Sequence, residues 1–131
     1  MKWTAKRHRD YLETGVLRHR HRVRLGFILQ QLTQLRHRPG GALRILDAGC
    51  GDGVIIGAVA ERFPTDRVDA VDLDPVRLAR AGDLPQRVRL HHADVRYLPF
   101  QAGVFDVVIC SSRGGTRVGR CRCARGVSPR P

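Results

Sequence analysis

The sequence predicts an α/β fold in which a parallel sheet carries helices on both faces. Short apolar segments alternate with helical segments between residues 43 and 110, which favours parallel strands joined by right-handed crossovers. A glycine-rich loop directly follows the first apolar segment. The last segment, Val104 to Cys110, holds three consecutive aliphatic residues and is typical of a buried parallel strand.

The spacing of apolar residues predicts the individual elements. Strands are expected at residues 43–46, 67–71, 87–90 and 104–110, and helices at residues 16–37, 54–63 and 75–81. The chain is accordingly divided into three parts. These are a basic N-terminal segment with one helix (1–38), a core (39–112) and an Arg- and Gly-rich tail (113–131) that is predicted to be disordered.

The formal net charge of +12 is concentrated at the two ends of the chain. Residues 1–38 contain ten Lys and Arg against two acids, and residues 111–131 contain six Arg and no acid. Basic flanks can bind phosphates, so a non-enzymatic nucleic-acid-binding protein is the alternative function. Few aromatic residues accompany the N-terminal charge, and Trp3 and Tyr11 are the ones near its start. A solvated or cofactor-covering helix is therefore the favoured interpretation of that flank.

Composition and local pattern argue against several other classes of protein. No apolar run approaches the roughly 18 residues of a membrane span, and no signal peptide follows the basic start. Cys121 and Cys123 have no second pair at zinc spacing, and the adjacent His91 and His92 point to opposite faces of a strand. No metal site is therefore expected, and a reducing, cytoplasmic location is the expectation.

The loop from Asp47 to Gly53 is the strongest indication of function. Glycines at 49, 51 and 53 let a ligand approach the backbone, and the helix that follows offers free N–H groups. The third glycine comes one residue earlier than in the dinucleotide fingerprint, and Asp52 would oppose a pyrophosphate by its charge. A nicotinamide dinucleotide is therefore disfavoured against a cofactor with a cationic end. Asp47 is placed either to orient the loop or to face that end.

Two further acids follow the next two strands. Asp72 ends the second strand, 19 residues after Gly53, and is suited to accept hydrogen bonds from both hydroxyls of a ribose. Asp94 lies just beyond the third strand, where a carboxylate can accept from an adenine amino group and the backbone N–H of Val95 can reach a ring nitrogen. A turn-capping role is the alternative for Asp94.

Two other acids are interpreted as structural. Asp74 precedes Pro75 and a helix, so it is expected to be an N-cap. Asp106 begins the fourth strand, at the end opposite the ligand-binding crevice of a parallel sheet.

In their order and spacing, these motifs resemble those of the class I S-adenosylmethionine-dependent methyltransferases. The resemblance covers residues 43–110 and includes Leu98-Pro99-Phe100 after the third motif. It implies an incomplete Rossmann-like sheet of about four strands in the order 3-2-1-4. It also implies S-adenosyl-L-methionine as the cofactor and methyl transfer to an acceptor, with small molecules favoured as the acceptor class.

The resemblance also implies roles for individual residues. The loop would contact or support the methionyl part of the cofactor, Asp72 would bind the ribose, and Leu73 would pack against the adenine. Asp94 and Val95 would bind the adenine edge. The loop residues concerned are Asp47, Gly49, Cys50, Gly51 and Gly53.

After Ser112 the sequence departs from the family's pattern. The family's fold continues with a helix and three more strands, so strand four is predicted to be an exposed edge that favours self-association. The abrupt change to Arg, Gly, Cys and Pro predicts a reading frame disrupted near codon 112, with a genuine short protein as the alternative. Because no acceptor wall or catalytic residue is identifiable, weak or absent catalysis is expected of this truncated chain.

Overall fold

The computed structural model describes residues 19–36, 41–81, 84–85, 87–101, 103–112 and 115–120. Its elements follow in the order α1 (His19–Leu35), β1 (Arg44–Ala48), α2 (Val54–Arg62), β2 (Arg67–Asp72), α3 (Pro75–Arg80), β3 (Val88–His92), β4 (Val107–Ser112) and β5 (Gly115–Arg120). The strands form one sheet in the order β3-β2-β1-β4-β5. No described helix combines the length and apolar character that crossing a bilayer requires.

The central strand of the sheet is β1, which pairs in parallel with both β2 and β4. All of its residues from Ile45 to Ala48 are buried, as expected of a strand with neighbours on both sides and packing on both faces. β3 pairs in parallel with β2 and lies at one edge. The α/β, Rossmann-like class and the order 3-2-1-4 are confirmed.

A fifth strand corrects the prediction of a disordered tail after residue 112. β5 pairs antiparallel with β4, so β4 is not the exposed edge on which self-association was predicted. The strand forms because Thr116 and Val118 alternate with exposed residues, and Val118 packs against the main core. Arg120 also donates a hydrogen bond to the carbonyl of Leu35, 2.5 Å away, which joins β5 to α1. Residues 121–131 lie outside the described part.

The described helices pack on one face of the sheet, which corrects the prediction of helices on both. The main core joins α1, α2 and the residue after α3 to one set of strand side chains, among them Leu32, Val59, Ala81, Ile45 and Val68. A smaller cluster on the opposite face contains Leu46 and Val71, covered by the segment around Phe100 and Phe105. The chain after β4 turns back as a strand, so no described helix follows to cover that second face.

A buried ion pair holds the end of α1 against the start of β1. Arg36 donates from both guanidinium NH₂ groups to Asp66, with N–O distances of 2.6 and 2.9 Å. Asp66 also accepts the backbone N–H of Leu43 at 2.9 Å, and the guanidinium lies 4.0 Å from the ring centroid of Phe63. Because this end of α1 is fixed where β1 begins, the opposite end of α1 reaches the carboxyl end of the sheet.

Candidate cofactor-binding site

The glycine loop connects β1 to α2 at the carboxyl end of the sheet. The N–H groups of Gly49 and Cys50 both donate to the carbonyl of Val71, at 2.7 and 2.9 Å, and so tie the loop to the end of β2. Gly51 and Gly53 have φ angles of 60° and 81°, which other residues adopt only with strain. The glycines are therefore required by the path of the backbone as well as suited to a ligand.

Asp72 lies at the end of β2 and binds the loop directly. One carboxylate oxygen accepts the N–H of Gly51 at 2.8 Å, and the other accepts the N–H of Asp74 at 2.8 Å. Each carboxylate oxygen has two lone pairs, so each retains an acceptor site after these bonds are made. The residue predicted to bind a ribose therefore also shapes the loop.

Asp47 is buried beneath the loop, on the same face of β1 as Ile45 and hence on the helix side of the sheet. The pKa of its carboxyl is raised from 3.8 to about 7. Burial is the largest cause, the negative charge of Asp72 adds to it, and the positive charge of Arg24 opposes both. Burial likewise raises the pKa of the Cys50 thiol, with the charges of Asp47 and Asp72 adding to the effect. Cys50 is consequently an un-ionised thiol and not a reactive thiolate.

A cavity of about 670 Å³ opens beside the loop, within the range of small-molecule sites. Four of the predicted residues line it, namely Asp47, Gly49, Cys50 and Gly51, together with Asp52. Residues that the sequence interpretation did not assign to the site complete its wall: His21, Arg24, Val54, Ile55, Arg77, Arg80 and Ser111. Arg24 and Arg80 reach the cavity because their helices pack on the sheet, and the neighbouring sequence carries no signal of that placement.

The residues predicted for the adenine lie outside this cavity. Leu73 is 59% exposed, and its carbonyl is 2.9 Å from Nε2 of His92. Asp94 is engaged by Arg96, which donates its backbone N–H at 2.9 Å and its guanidinium at 2.8 Å. These hydrogen bonds hold the pKa of the Asp94 carboxyl below its usual value. The contacts of Asp94 in the structure are therefore those of a turn-capping residue, which was the alternative interpretation.

The two acids interpreted as structural occupy the predicted positions. Asp74 is the N-cap of α3 and accepts the N–H groups of Val76 and Arg77, at 2.9 and 3.4 Å. Asp106 accepts the N–H of Arg44 at 2.9 Å and returns its own N–H to the Arg44 carbonyl, which joins the starts of β1 and β4. Both predictions are confirmed.

The adjacent histidines of β3 have separate partners. His91 lies 2.7 Å from a carboxylate oxygen of Asp69, whereas His92 contacts the carbonyl of Leu73. Across the part of the chain that the structure describes, no three metal-ligating side chains come together.

Comparison with known proteins identifies the family. A methyltransferase domain family model matches residues 45–117, more than half of the chain, and that segment contains the loop and Asp72. The chain belongs to the class I S-adenosylmethionine-dependent methyltransferases. This membership favours an enzyme over the nucleic-acid-binding alternative. The match also continues past residue 112 into β5, beyond the range that the sequence motifs had indicated.

Two solved methyltransferase structures resemble the chain in both fold and sequence. An amino pentose methyltransferase from Micromonospora echinaspora, solved with S-adenosylmethionine bound, is 34% identical with a TM-score of 0.53. The alignment covers 64% of this chain and 34% of that one. A sugar N-methyltransferase from a Streptoalloteichus species is 31% identical with a TM-score of 0.50, over 61% of this chain and 31% of its own.

Curated methyltransferases are also similar to part of this chain. A malonyl-[acyl-carrier protein] O-methyltransferase of Geobacter sulfurreducens is 36% identical over 72 residues, 53% of this chain and 27% of that protein. A trans-aconitate 2-methyltransferase of Streptomyces avermitilis is 40% identical over 51 residues, 39% of this chain and 19% of its own length. The chain therefore spans well under half the length of these relatives.

Proposed function

We propose that this chain binds S-adenosylmethionine at the glycine loop, with residues 39–112 as the cofactor-binding core of a methyltransferase whose acceptor is a small molecule. The observation that carries the proposal is the pair of hydrogen bonds through which Asp72 joins the Gly51 N–H to the end of β2. After these bonds are made, each carboxylate oxygen of Asp72 still has one acceptor site. The carboxylate lies at the crevice of a parallel sheet, where an acid commonly binds the two hydroxyls of a ribose.

The chemistry of the loop fits this cofactor. When bound, S-adenosylmethionine supplies a methyl group activated by its attachment to a positively charged sulfur. Asp47 and Asp52 both line the cavity, and their carboxylates favour a cationic ligand and oppose a pyrophosphate. Gly49 and Gly51 carry no side chain there, so a ligand can contact the backbone. We assign Asp47, Gly49, Cys50, Gly51 and Gly53 to the methionyl end of the site.

The adenine is assigned to the opposite side of Asp72. The N–H of Ala93 donates to the Asp72 carbonyl at 3.2 Å, so the segment after β3 begins beside the ribose position. Leu73 is exposed and can pack against a flat ring. Asp94 accepts from the adenine amino group only if it releases Arg96, whereas the N–H of Val95 can serve a ring nitrogen.

The acceptor class is assigned as small molecules. The structurally similar relatives are named for an amino pentose and a sugar, and one curated relative is named for trans-aconitate. Ser111, near the end of β4, lines the same cavity as Asp47, so an acceptor held there would lie near the methionyl end. Such placement supplies the proximity and orientation that methyl transfer requires.

Calorimetry with S-adenosylhomocysteine on the full chain tests the proposal. Saturable binding of one equivalent is expected, with no binding of NAD under the same conditions. Tight NAD binding without S-adenosylhomocysteine binding would replace the proposal with a dinucleotide enzyme. Acceptor chemistry is tested separately, by mass-spectrometric detection of methylated products from a panel of small molecules.

A further inference from the structure

Three arginines line the same cavity as the glycine loop. Arg24 projects from α1, and Arg77 and Arg80 project from α3, so two elements on either side of α2 contribute positive charge. A Cβ built on Gly51 would lie 3.8 Å from a guanidinium nitrogen of Arg77, so that side chain lies over the loop. The cavity therefore has cationic groups close to the cofactor position.

Few of these charges are satisfied by residues that the structure describes. Among those residues, the Arg77 side chain forms only a long ion pair with Asp74, 3.7 Å, at a position where both side chains are largely exposed. Arg80 has no hydrogen-bond or ion-pair partner among the residues that the structure describes. An exposed ion pair such as Arg77–Asp74 contributes little to stability. A role in stabilising the fold therefore does not explain why Arg77 and Arg80 lie at the cavity.

The lining of the cavity contains more arginines than acids. Asp47 and Asp52 line it against three arginines, while Asp72, close to Asp47, and Asp74, the partner of Arg77, lie outside the lining. The raised pKa of Asp47, about 7, keeps part of the Asp47 population neutral at neutral pH. S-adenosylmethionine adds a sulfonium and an ammonium against one carboxylate. That carboxylate can occupy one arginine, and the loaded cavity still has an excess of positive charge.

From this arrangement we infer that the methyl acceptor is a small carboxylic acid, anchored by arginines of the cavity that the cofactor leaves free. The inference rests on the proposed function, since it assigns the substrate class of the same site. Arginine suits the role because its planar guanidinium binds a carboxylate through two parallel hydrogen bonds. A neutral sugar or an amine would gain nothing from the three arginines.

The test uses malonate as the probe and malonamide as its neutral counterpart. Each is titrated into the full chain by ligand-observed NMR, at constant ionic strength set with sodium chloride and with saturating S-adenosylhomocysteine. Malonate is expected to bind and malonamide is not. Arg24→Gln and Arg80→Gln should each weaken malonate binding by about tenfold, the usual effect of losing a hydrogen bond to a charged group. Arg22→Gln, on an exposed position of α1 outside the cavity, should leave it unchanged.

The other outcomes separate the rival explanations. If S-adenosylhomocysteine binds but malonate binds no better than malonamide, the acceptor class is wrong and the proposed function stands. If S-adenosylhomocysteine weakens malonate binding tenfold, the arginines serve the cofactor's carboxylate, and the inference is overturned. Tighter binding of inorganic phosphate than of malonate would overturn the choice of a carboxylic acid. If S-adenosylhomocysteine does not bind at all, the proposed function itself fails.

Discussion

The carboxylate of Asp72 accepts the backbone N–H of Gly51 at 2.8 Å and thereby joins the glycine loop to the end of β2. Its second oxygen accepts the N–H of Asp74, the residue that caps α3. One side chain therefore fixes the relative positions of the loop, the strand and the helix. The proposed ribose contact is consequently made by a group whose orientation is set before the ligand arrives, which reduces the entropic cost of binding.

Removing Asp72 should abolish most of the cofactor affinity. We expect Asp72→Ala to weaken S-adenosylhomocysteine binding at least tenfold in calorimetry, because hydrogen bonds to a charged group contribute roughly 1.5–3 kcal/mol. The matched control is Asp74→Ala, which should cost about 1 kcal/mol of stability through the lost helix cap and leave affinity unchanged. Equal affinity in wild type and Asp72→Ala would show that the ribose assignment is wrong.

Asp47 should make stability depend on pH. The pKa of its carboxyl is about 7 in the folded protein against 3.8 for the ordinary group, so the folded state holds a proton that the unfolded chain releases. The contribution is fully present below 3.8 and is lost as pH rises towards 7, amounting to at most about 4 kcal/mol. The free energy of unfolding of wild type and of Asp47→Asn should be measured with urea at pH 5, 6, 7 and 8. Plotted against pH, the two free energies should diverge as pH rises, because only wild type loses the contribution of Asp47. Parallel curves would contradict the raised pKa.

Gly53→Ala should destabilise the fold more than the same change at Gly103. Both glycines have positive φ, 81° and 77°, so both substitutions carry a left-handed backbone cost of roughly 1–2 kcal/mol. At Gly53 the new Cβ would also lie 2.9 Å from Leu84 and 3.1 Å from Ala81, whereas at Gly103 nothing lies within 4 Å. Thermal unfolding should therefore give a lower Tm for Gly53→Ala. Equal Tm values would contradict this expectation, because they would mean that Leu84 can move away from the new Cβ with no loss of stability.

The Arg36–Asp66 pair should contribute far more to stability than an exposed pair. Asp66 is wholly buried, so Asp66→Ala leaves the Arg36 charge and the Leu43 N–H without their partner. We expect a loss of about 3–5 kcal/mol in chemical denaturation. Asp106→Ala removes an ion pair at 3.9 Å to Arg44 in which both side chains are exposed, so its Coulombic part should cost under about 1 kcal/mol. Similar losses for the two variants would contradict the assigned burial.

Local pattern was sufficient to predict much of this molecule. Strand β1 is buried on both faces and is followed by glycines, and the Asp74-Pro75 step marks a helix start, so each is recognisable within a few residues. Asp72 could be placed because the carboxyl ends of parallel strands meet at one edge.

Features that depend on contacts distant in sequence were not predictable in the same way. β5 was missed because its Arg and Gly content hides the alternation of Thr116 and Val118, and its stability comes from pairing with β4 and packing beneath α1. Arg24 and Arg80 reach the cavity through helix packing on the sheet, which their own sequence neighbours do not indicate.

The central claim is that the glycine loop is the cofactor-binding site of this chain. NMR of the full chain labelled with ¹⁵N-glycine, titrated with S-adenosylhomocysteine, tests it most directly. The amide resonances of Gly49, Gly51 and Gly53 should shift and saturate together, while those of Gly26, Gly103 and Gly119 should stay in place. Shifts confined to the second set, or none in either, would contradict the assignment of this loop as the cofactor site.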